Sequence, residues 1–251
     1  FSSQEFCSLY RAFSKDTFGI CSVGQGNNLI RSCEDDVVVA DNLSPTGESL
    51  RMEGFSLPVY GRHNVLNALA AIGVGLRLGI SEENMKKALS GFTGVQRRFT
   101  KTGETNGITV IDDYGHHPIE IASTLRAARE VAPKKVIAVF QPHRYTRVAD
   151  LFDMFCTAFN DADCVIVADV YAAGEPEIPS ANKDALAEGL RAHGHRHVIT
   201  LNKREDLADI IKAEASAGDI VICLGAGSIS SWAKALPREL EQAFARDGKE
   251  A

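Results

Sequence analysis

Ile108-Thr109-Val110-Ile111-Asp112-Asp113-Tyr114-Gly115-His116-His117-Pro118 is the stretch whose reading decides the fold. An apolar run ends in two carboxylates, a phenol and two imidazoles gathered around one glycine. Pro118 then opens a helical pattern, and proline suits the first helical position, where its missing N–H costs nothing. The segment therefore reads as a strand, a turn and a helix start. A turn needs only the glycine, so the surplus of titratable groups at the exit of a buried strand points to function. A plainer reading stands beside it, in which Asp112 and Asp113 cap the helix and the histidines face water.

Beyond this stretch the pattern repeats. Apolar runs at Ile108–Ile111, Val136–Phe140, Cys164–Ala168, Val198–Leu201 and Ile220–Leu224 are continuous rather than alternating. That is the signature of strands covered on both faces. Helical stretches lie between them, at Ile119–Val131, Val148–Asn160, Asp184–His193, Arg204–Ala215 and Ile229–Ala245. The alternation predicts an α/β domain, Rossmann-like, with a doubly wound and mostly parallel sheet. Ligands bind such sheets beyond the carboxyl ends of the strands. Polar or glycine-rich segments follow four of these strands: 112–118, Gln141-Pro142-His143-Arg144-Tyr145-Thr146-Arg147, 169–175 and Gly225-Ala226-Gly227-Ser228. Their collection at one edge predicts an enzyme site.

Arg144 and Arg147 are three apart where a strand exit enters a helix. Two guanidinium forks there can form a bidentate clamp for a carboxylate or phosphate. The alternative is a pair of arginines balancing acids such as Asp150 and Asp153. Gly225-Ala226-Gly227-Ser228 is half of a dinucleotide fingerprint and reads as a close-approach turn. His116 and His117 have no third ligand at helical spacing, which argues against a metal site. One imidazole beside a transferring phosphate, or shuttling a proton, is the better use. His193, His195 and His197 have no partner in the sequence and read as surface.

Toward the N-terminus the organisation changes. Residues 1–17 are amphipathic, with Phe6, Leu9, Tyr10 and Phe13 at helical spacing. Short extended pieces follow at Phe18–Val23, Leu29–Arg31, Val37–Ala40, Ser49–Met52 and Phe55–Val59, punctuated by glycines, which predicts a small β-meander. Gly24-Gln25-Gly26 reads as a turn. A helix begins near Gly61, with Leu66, Leu69 and Ile72 on one face. Asn64 and Asn67 are neighbours on its first turn; they either contact a ligand or cap the helix. Ser81–Leu89 is a short capped helix. The link 91–99 carries two glycines and the pair Arg97-Arg98, suited to reach a phosphate. A boundary here predicts two domains, residues 1–95 and 96–251.

The chain has 251 residues, 45% hydrophobic and 24% charged, enough for a sizeable core in a soluble globular protein. A net charge of −6 argues against nucleic-acid binding but leaves a small anionic substrate open. The six cysteines are scattered without CxxC or zinc-finger spacing, and several lie in apolar runs, which predicts a reduced, cytoplasmic protein. No apolar segment approaches membrane-spanning length, so no membrane partner is expected. The start at Phe1 suggests part of a longer protein.

Four motifs, Gly61-Arg62-His63-Asn64-Val65-Leu66-Asn67-Ala68, Arg97-Arg98-Phe99, 112–118 and 141–147, together resemble the Mur ligases. The resemblance runs from about Val37 to the end. It implies that 1–95 is the last part of a central ATP-binding domain and 96–251 the Rossmann-like ligase domain. No G-x-x-x-x-G-K-[ST] occurs here, so the phosphate loop and most Mg2+ ligands are expected outside this sequence, leaving it silent alone. The family uses ATP to convert a carboxylate to an acyl phosphate, which an amine then attacks. Carried over, His63, Asn64, Asn67, Arg98 and Asp113 would bind ATP. Tyr114, His116, His143, Arg144 and Arg147 would bind substrate, and His116, Asp113 and Arg98 would serve catalysis. The implied substrates are UDP-N-acetylmuramate and L-alanine. The competing readings are a sister ligase adding a preformed peptide and a non-catalytic nucleotide-binding module.

Overall fold

The computed structural model describes residues 29–33, 37–41, 50–52, 54–59, 62–132 and 134–247. The sequence expectations for residues 1–17, Phe18–Val23 and Gly24–Gly26 lie outside these. The chain divides into two compact units, Phe1–Gly94 and Val95–Ala251.

In the first unit, β1 (Leu29–Cys33), β2 (Val37–Asp41) and β3 (Leu50–Met52) form an antiparallel sheet in chain order. Phe55–Val59, read as extended, joins no strand. Helix α1 (Arg62–Arg77) and α2 (Glu82–Ser90) follow. Met52, Phe55, Leu69, Ile72 and Met85 make the core. The Ser81 hydroxyl accepts from the Asn84 N–H and starts α2. Gly75 lets the two helices approach, since a Cβ there would lie 2.7 Å from Met85 Sδ.

The second unit holds a six-stranded sheet. Its strands are β4 (Thr100–Thr105), β5 (Ile108–Asp113), β6 (Val136–Phe140), β7 (Cys164–Val167), β8 (Val198–Thr200) and β9 (Ile220–Leu224). Their spatial order is β4-β5-β9-β6-β7-β8. All pairings are parallel except β4 with β5. Helices α3 (Pro118–Val131), α4 (Tyr145–Asp150), α5 (Phe152–Thr157) and α6 (Lys183–Ala192) cover one face, where Ile121, Leu125, Phe155, Phe159 and Leu186 pack. Helices α7 (Leu207–Glu214) and α8 (Ile229–Asp247) cover the other with Leu207, Ile211, Leu236 and Leu240. The doubly wound sheet is thus as the continuous apolar runs predict.

Two features differ from expectation. Val148–Asn160 is not one helix but the short pair α4 and α5, which meet at Leu151 with φ −118°. Strand β4 was not expected at all. It is an edge strand of polar residues, joined to β5 by Asn106-Gly107 with φ 51° and 76°, the double left-handed turn that hairpins favour. Gly103 lies against α8, where a Cβ would meet Pro237 at 2.7 Å. Pro237 sits inside α8 and has no N–H for the carbonyl of Ala233. The hydroxyl of Thr102 donates to that carbonyl at 2.8 Å, so the strand repairs the helix it covers.

Candidate active site

Because β9 lies between β5 and β6, the exits of these three strands are adjacent. The β9 exit is made close by glycine. A Cβ on Gly225 (φ 148°) would lie 2.6 Å from the Gln141 carbonyl oxygen, and one on Gly227 would lie 2.6 Å from both Gln141 Oε1 and the Tyr171 ring. This is the close-approach turn the two glycines suggested. Gln141 is buried; its Oε1 accepts from Ile229 N–H at 3.0 Å and its Nε2 donates to Ser228 Oγ at 3.0 Å.

At the β5 exit, Asp113 is only 3% exposed. Its carboxylate accepts from the N–H groups of Phe99 (2.8 Å) and Gly115 (2.7 Å) and from Thr124 Oγ1 (3.2 Å). Burial pushes its pKa up, with the backbone donors and Arg98 pulling the other way. Asp112 is equally buried and accepts from Ser230 Oγ at 2.6 Å. Neither acid caps α3. That task falls to His117, whose Nδ1 accepts from Ile119 N–H, and to Glu120, which accepts from the N–H groups of His116 (3.1 Å) and His117 (3.2 Å). Burial pushes the Glu120 carboxyl up, but these donors and Arg98 outweigh it and hold it below its ordinary range.

The two adjacent arginines separate. Arg97 turns inward, donating to the Gly225 carbonyl at 2.9 Å, with Nε 3.7 Å from Asp112 Oδ2 and its guanidinium 4.6 Å from the Tyr114 ring centre. It braces the site rather than reaching for a phosphate. Arg98 is exposed, held to Glu120 only at 3.4–3.5 Å. Its loosely held guanidinium can swing to an anion.

His116 packs edge-on against Tyr114 with ring centres 5.0 Å apart. Its Nδ1 lies 2.9 Å from the Tyr114 carbonyl. A carbonyl only accepts, so Nδ1 carries the proton and a neutral His116 keeps the Nε2 lone pair. The His143 ring is 5.9 Å from that of His116 and stacks on Tyr171 at 5.5 Å. Burial, then the positive charges of Arg147 and Arg144, lower the His143 pKa and favour its neutral form. The β6 exit thus places His143 beside Tyr114 and His116, as the strand-exit rule predicts.

Arg147 and Arg144, the residues of the expected clamp, contact different protein groups. Arg147 donates to the carbonyl of His143 at 3.0 Å and contacts its Nδ1 at 3.2 Å. Arg144 is half-exposed, 3.6 Å from Glu175, and sits at φ 71° ahead of α4 rather than within it. Helical i, i+3 neighbourhood therefore does not apply to the pair. Of the suggested partners, neither Asp150 nor Asp153 pairs with Arg144, whose acid is Glu175, and Glu175 also accepts from Thr146 N–H and Oγ1. Ser230 escaped the sequence reading, and Gln141, Tyr171 and Glu175 entered it only as members of strand-exit segments, because only the packing of loops from different strands gives them their contacts.

In the first unit, His63, Asn64 and Asn67 lie on the first turns of α1; Asn64 is half-buried and Asn67 exposed. Among the described residues no trio of His, Cys, Asp or Glu gathers at the carboxyl edge of the second unit's sheet. Among the same residues no helix is long and apolar enough to cross a membrane.

Fold and site define an α/β protein with its polar machinery at the switch point of a doubly wound sheet. A family model for the Mur ligase glutamate ligase domain matches residues 97–227. The chain belongs to the Mur ligase family. It is 56% identical over 211 residues to the UDP-N-acetylmuramate–L-alanine ligase of Rhodospirillum rubrum, covering 84% of this chain and 44% of that protein. It is 61% identical over 185 residues to the ligase of the same name from Acidiphilium cryptum, covering 74% and 39%. The chain therefore spans less than half the length of these curated relatives. Among solved structures it is similar to the UDP-N-acetylmuramate-alanine ligase of Thermotoga maritima, with a TM-score of 0.59, 28% identity, and 86% of this chain and 44% of that one covered. A murein peptide ligase from Psychrobacter arcticus gives the same TM-score at 22% identity, over 88% and 44%, a likeness of fold.

Proposed function

We propose that the chain works as part of an ATP-dependent ligase that joins L-alanine to the carboxylate of UDP-N-acetylmuramate in cytoplasmic peptidoglycan precursor synthesis. The observation that carries this reading is the identity of 56–61% to relatives of that name. ATP, with Mg2+, would supply the phosphoryl group that activates the carboxylate. The first unit is read as the end of the ATP-binding domain, with Asn64 and Asn67 toward the adenosine and His63 beside them. Arg98 is free enough to meet the nucleotide's phosphates. Asp113 acts as a positioning residue, since the chain itself occupies its carboxylate.

His116 is the proton acceptor in this reading. An amine must shed a proton to form an amide, and the Nε2 lone pair, fixed by the Nδ1–H bond to the Tyr114 carbonyl, can take it. Tyr114 and His143 would wall the amino-acid pocket. Arg144 would turn from Glu175 to the carboxylate of L-alanine, with Arg147 keeping His143 in place. The sister ligase that adds a preformed peptide shares the fold, but no observation here favours it over the single-amino-acid enzyme. A non-catalytic module gives no use for a tautomer-fixed imidazole facing a second imidazole.

The test is His116→Asn in the protein extended to the length of its relatives. The amide N–H can keep the bond to the Tyr114 carbonyl while the base is lost. Amide formation should fall by about 10²–10⁴-fold, with nucleotide affinity unchanged. A variant turning over L-alanine at the parent rate would refute the assignment.

A further inference from the structure

At the opposite edge of the same sheet, three side chains of different elements converge. Cys164 opens β7, His197 immediately precedes β8, and Glu214 ends α7. Their ligand atoms, one thiol sulfur, one imidazole nitrogen and one carboxylate oxygen, all lie within 4.8 Å of one another. His197 Nε2 is 3.4 Å from Glu214 Oε1. We propose that Cys164, His197 and Glu214 form a binding site for a zinc-like divalent cation, completed by water.

The donor set selects the metal. Sulfur and nitrogen favour Zn2+ over Mg2+ or Ca2+, which take oxygen ligands. Thiolate and carboxylate together neutralise the dication, so the charge of the ion is balanced inside the site. Bonds of roughly 2.0–2.3 Å set tetrahedral ligand atoms about 3.5 Å apart, so a small closure of the trio suffices. Cys164 is buried, whereas the His197 side chain is 48% exposed and leaves an open path for the ion and a water ligand.

The surroundings supply no competing use for the trio. The carboxylate of Asp163 is taken by Val136 N–H and Arg129, each at 2.8 Å. The ammonium of Lys135 donates to the Glu214 carbonyl at 3.3 Å, away from the carboxylate. Burial first, and the Glu214 carboxylate second, push the Cys164 thiol up to about 12. Binding therefore replaces the thiol proton, which leaves for solvent as the sulfur–metal bond forms. The site would pin the starts of β7 and β8 to the end of α7, far along the strands from Tyr114 and His143, as a structural staple.

The experiment uses the 251-residue chain, reduced and stripped with chelator, then loaded with Zn2+ or Co2+ and dialysed. One equivalent should be retained, Co2+ should show a thiolate charge-transfer band, and the thermal midpoint should rise with added Zn2+. Cys164→Ala should abolish the band even though Cys7, Cys21 and Cys33 remain. His197→Gln, at an exposed position that tolerates change, should weaken binding on the order of 100-fold, and it decides the matter if Cys164→Ala does not fold. No retained metal, or a band and affinity unchanged in these variants, would overturn the proposal.

Discussion

Asp113→Asn is the substitution whose outcome the structure specifies most closely. Oδ1 of Asp113 accepts from Gly115 N–H and Thr124 Oγ1, while Oδ2 accepts from Phe99 N–H alone. The amide oxygen of asparagine will take the Oδ1 position, where two donors wait, and its NH2 will face the Phe99 N–H. One hydrogen bond to a charged acceptor is then lost, at a cost of about 1.5–3 kcal/mol. The amide that loses this acceptor belongs to a residue at φ 50°, a conformation that persists only where its surroundings enforce it. Against this stands a gain: burial raises the Asp113 pKa, so a neutral side chain escapes part of the desolvation cost. The net loss is about 2 kcal/mol, or about 4–8 °C in melting temperature for a chain of this size. Urea and thermal unfolding at pH 7 measure the loss, and amide exchange locates it at Phe99. A melting temperature within about 1 °C of the parent, with Phe99 still protected, would refute this account of the turn.

Two further outcomes follow from the same region. Glu120 has a folded pKa below its ordinary 4.5, so between the two values the unfolded chain holds more protons and stability rises with pH. Its contribution is complete above pH 4.5 and is lost as pH falls through the folded value; the acid limb of a stability–pH curve should therefore be shallower for Glu120→Gln, and equal slopes would count against the cap. Limited proteolysis should cut within 91–96, where Phe92 and Val95 are 39% and 61% exposed, and spare 97–99; primary cleavage at Arg97 or Arg98 in the folded chain would contradict the bracing described here.

The sheet was legible because β5, β6, β7 and β9 are buried almost throughout and therefore read as unbroken apolar runs. Strand β4 was not, since an edge strand exposes one side and Thr100-Lys101-Thr102-Gly103-Glu104-Thr105 carries no apolar residue. Its one signal was Asn106-Gly107, a strong hairpin dipeptide. The strand-exit rule was enough to expect Tyr114, His116 and His143 at one edge, and their rings do lie in sequence there. Nothing in the spacing of Arg144 and Arg147 announced that Arg144 precedes the helix with a left-handed backbone. Glu120 stood three residues after His117, the spacing of a capping box, but histidine is an unusual cap and hid the pattern.

The position of any hinge between the two units follows from these contacts. Residues 91–99 looked uniformly flexible in sequence, with two glycines and two arginines. In the structure the last three are fixed to the second unit. Tyr114 N–H donates to the Arg97 carbonyl at 2.6 Å, Phe99 N–H to Asp113, and the Arg97 side chain to Gly225. Both Arg97 and Phe99 hold left-handed φ values of 61° and 50°, strain that those bonds offset. Gly91 and Phe92 N–H groups donate to the end of α2 and Arg98 N–H donates to the Val95 carbonyl, which leaves the turn at Thr93 and Gly94, the latter at φ 88°. Arg97 touches the exits of both β5 and β9, so a rotation about Gly94 that pulled on Arg97 would tug directly on Asp112, Tyr114 and Gly225. The joint and the site share one residue. A displacement of Arg97 would therefore reach the Tyr114–His116 pair.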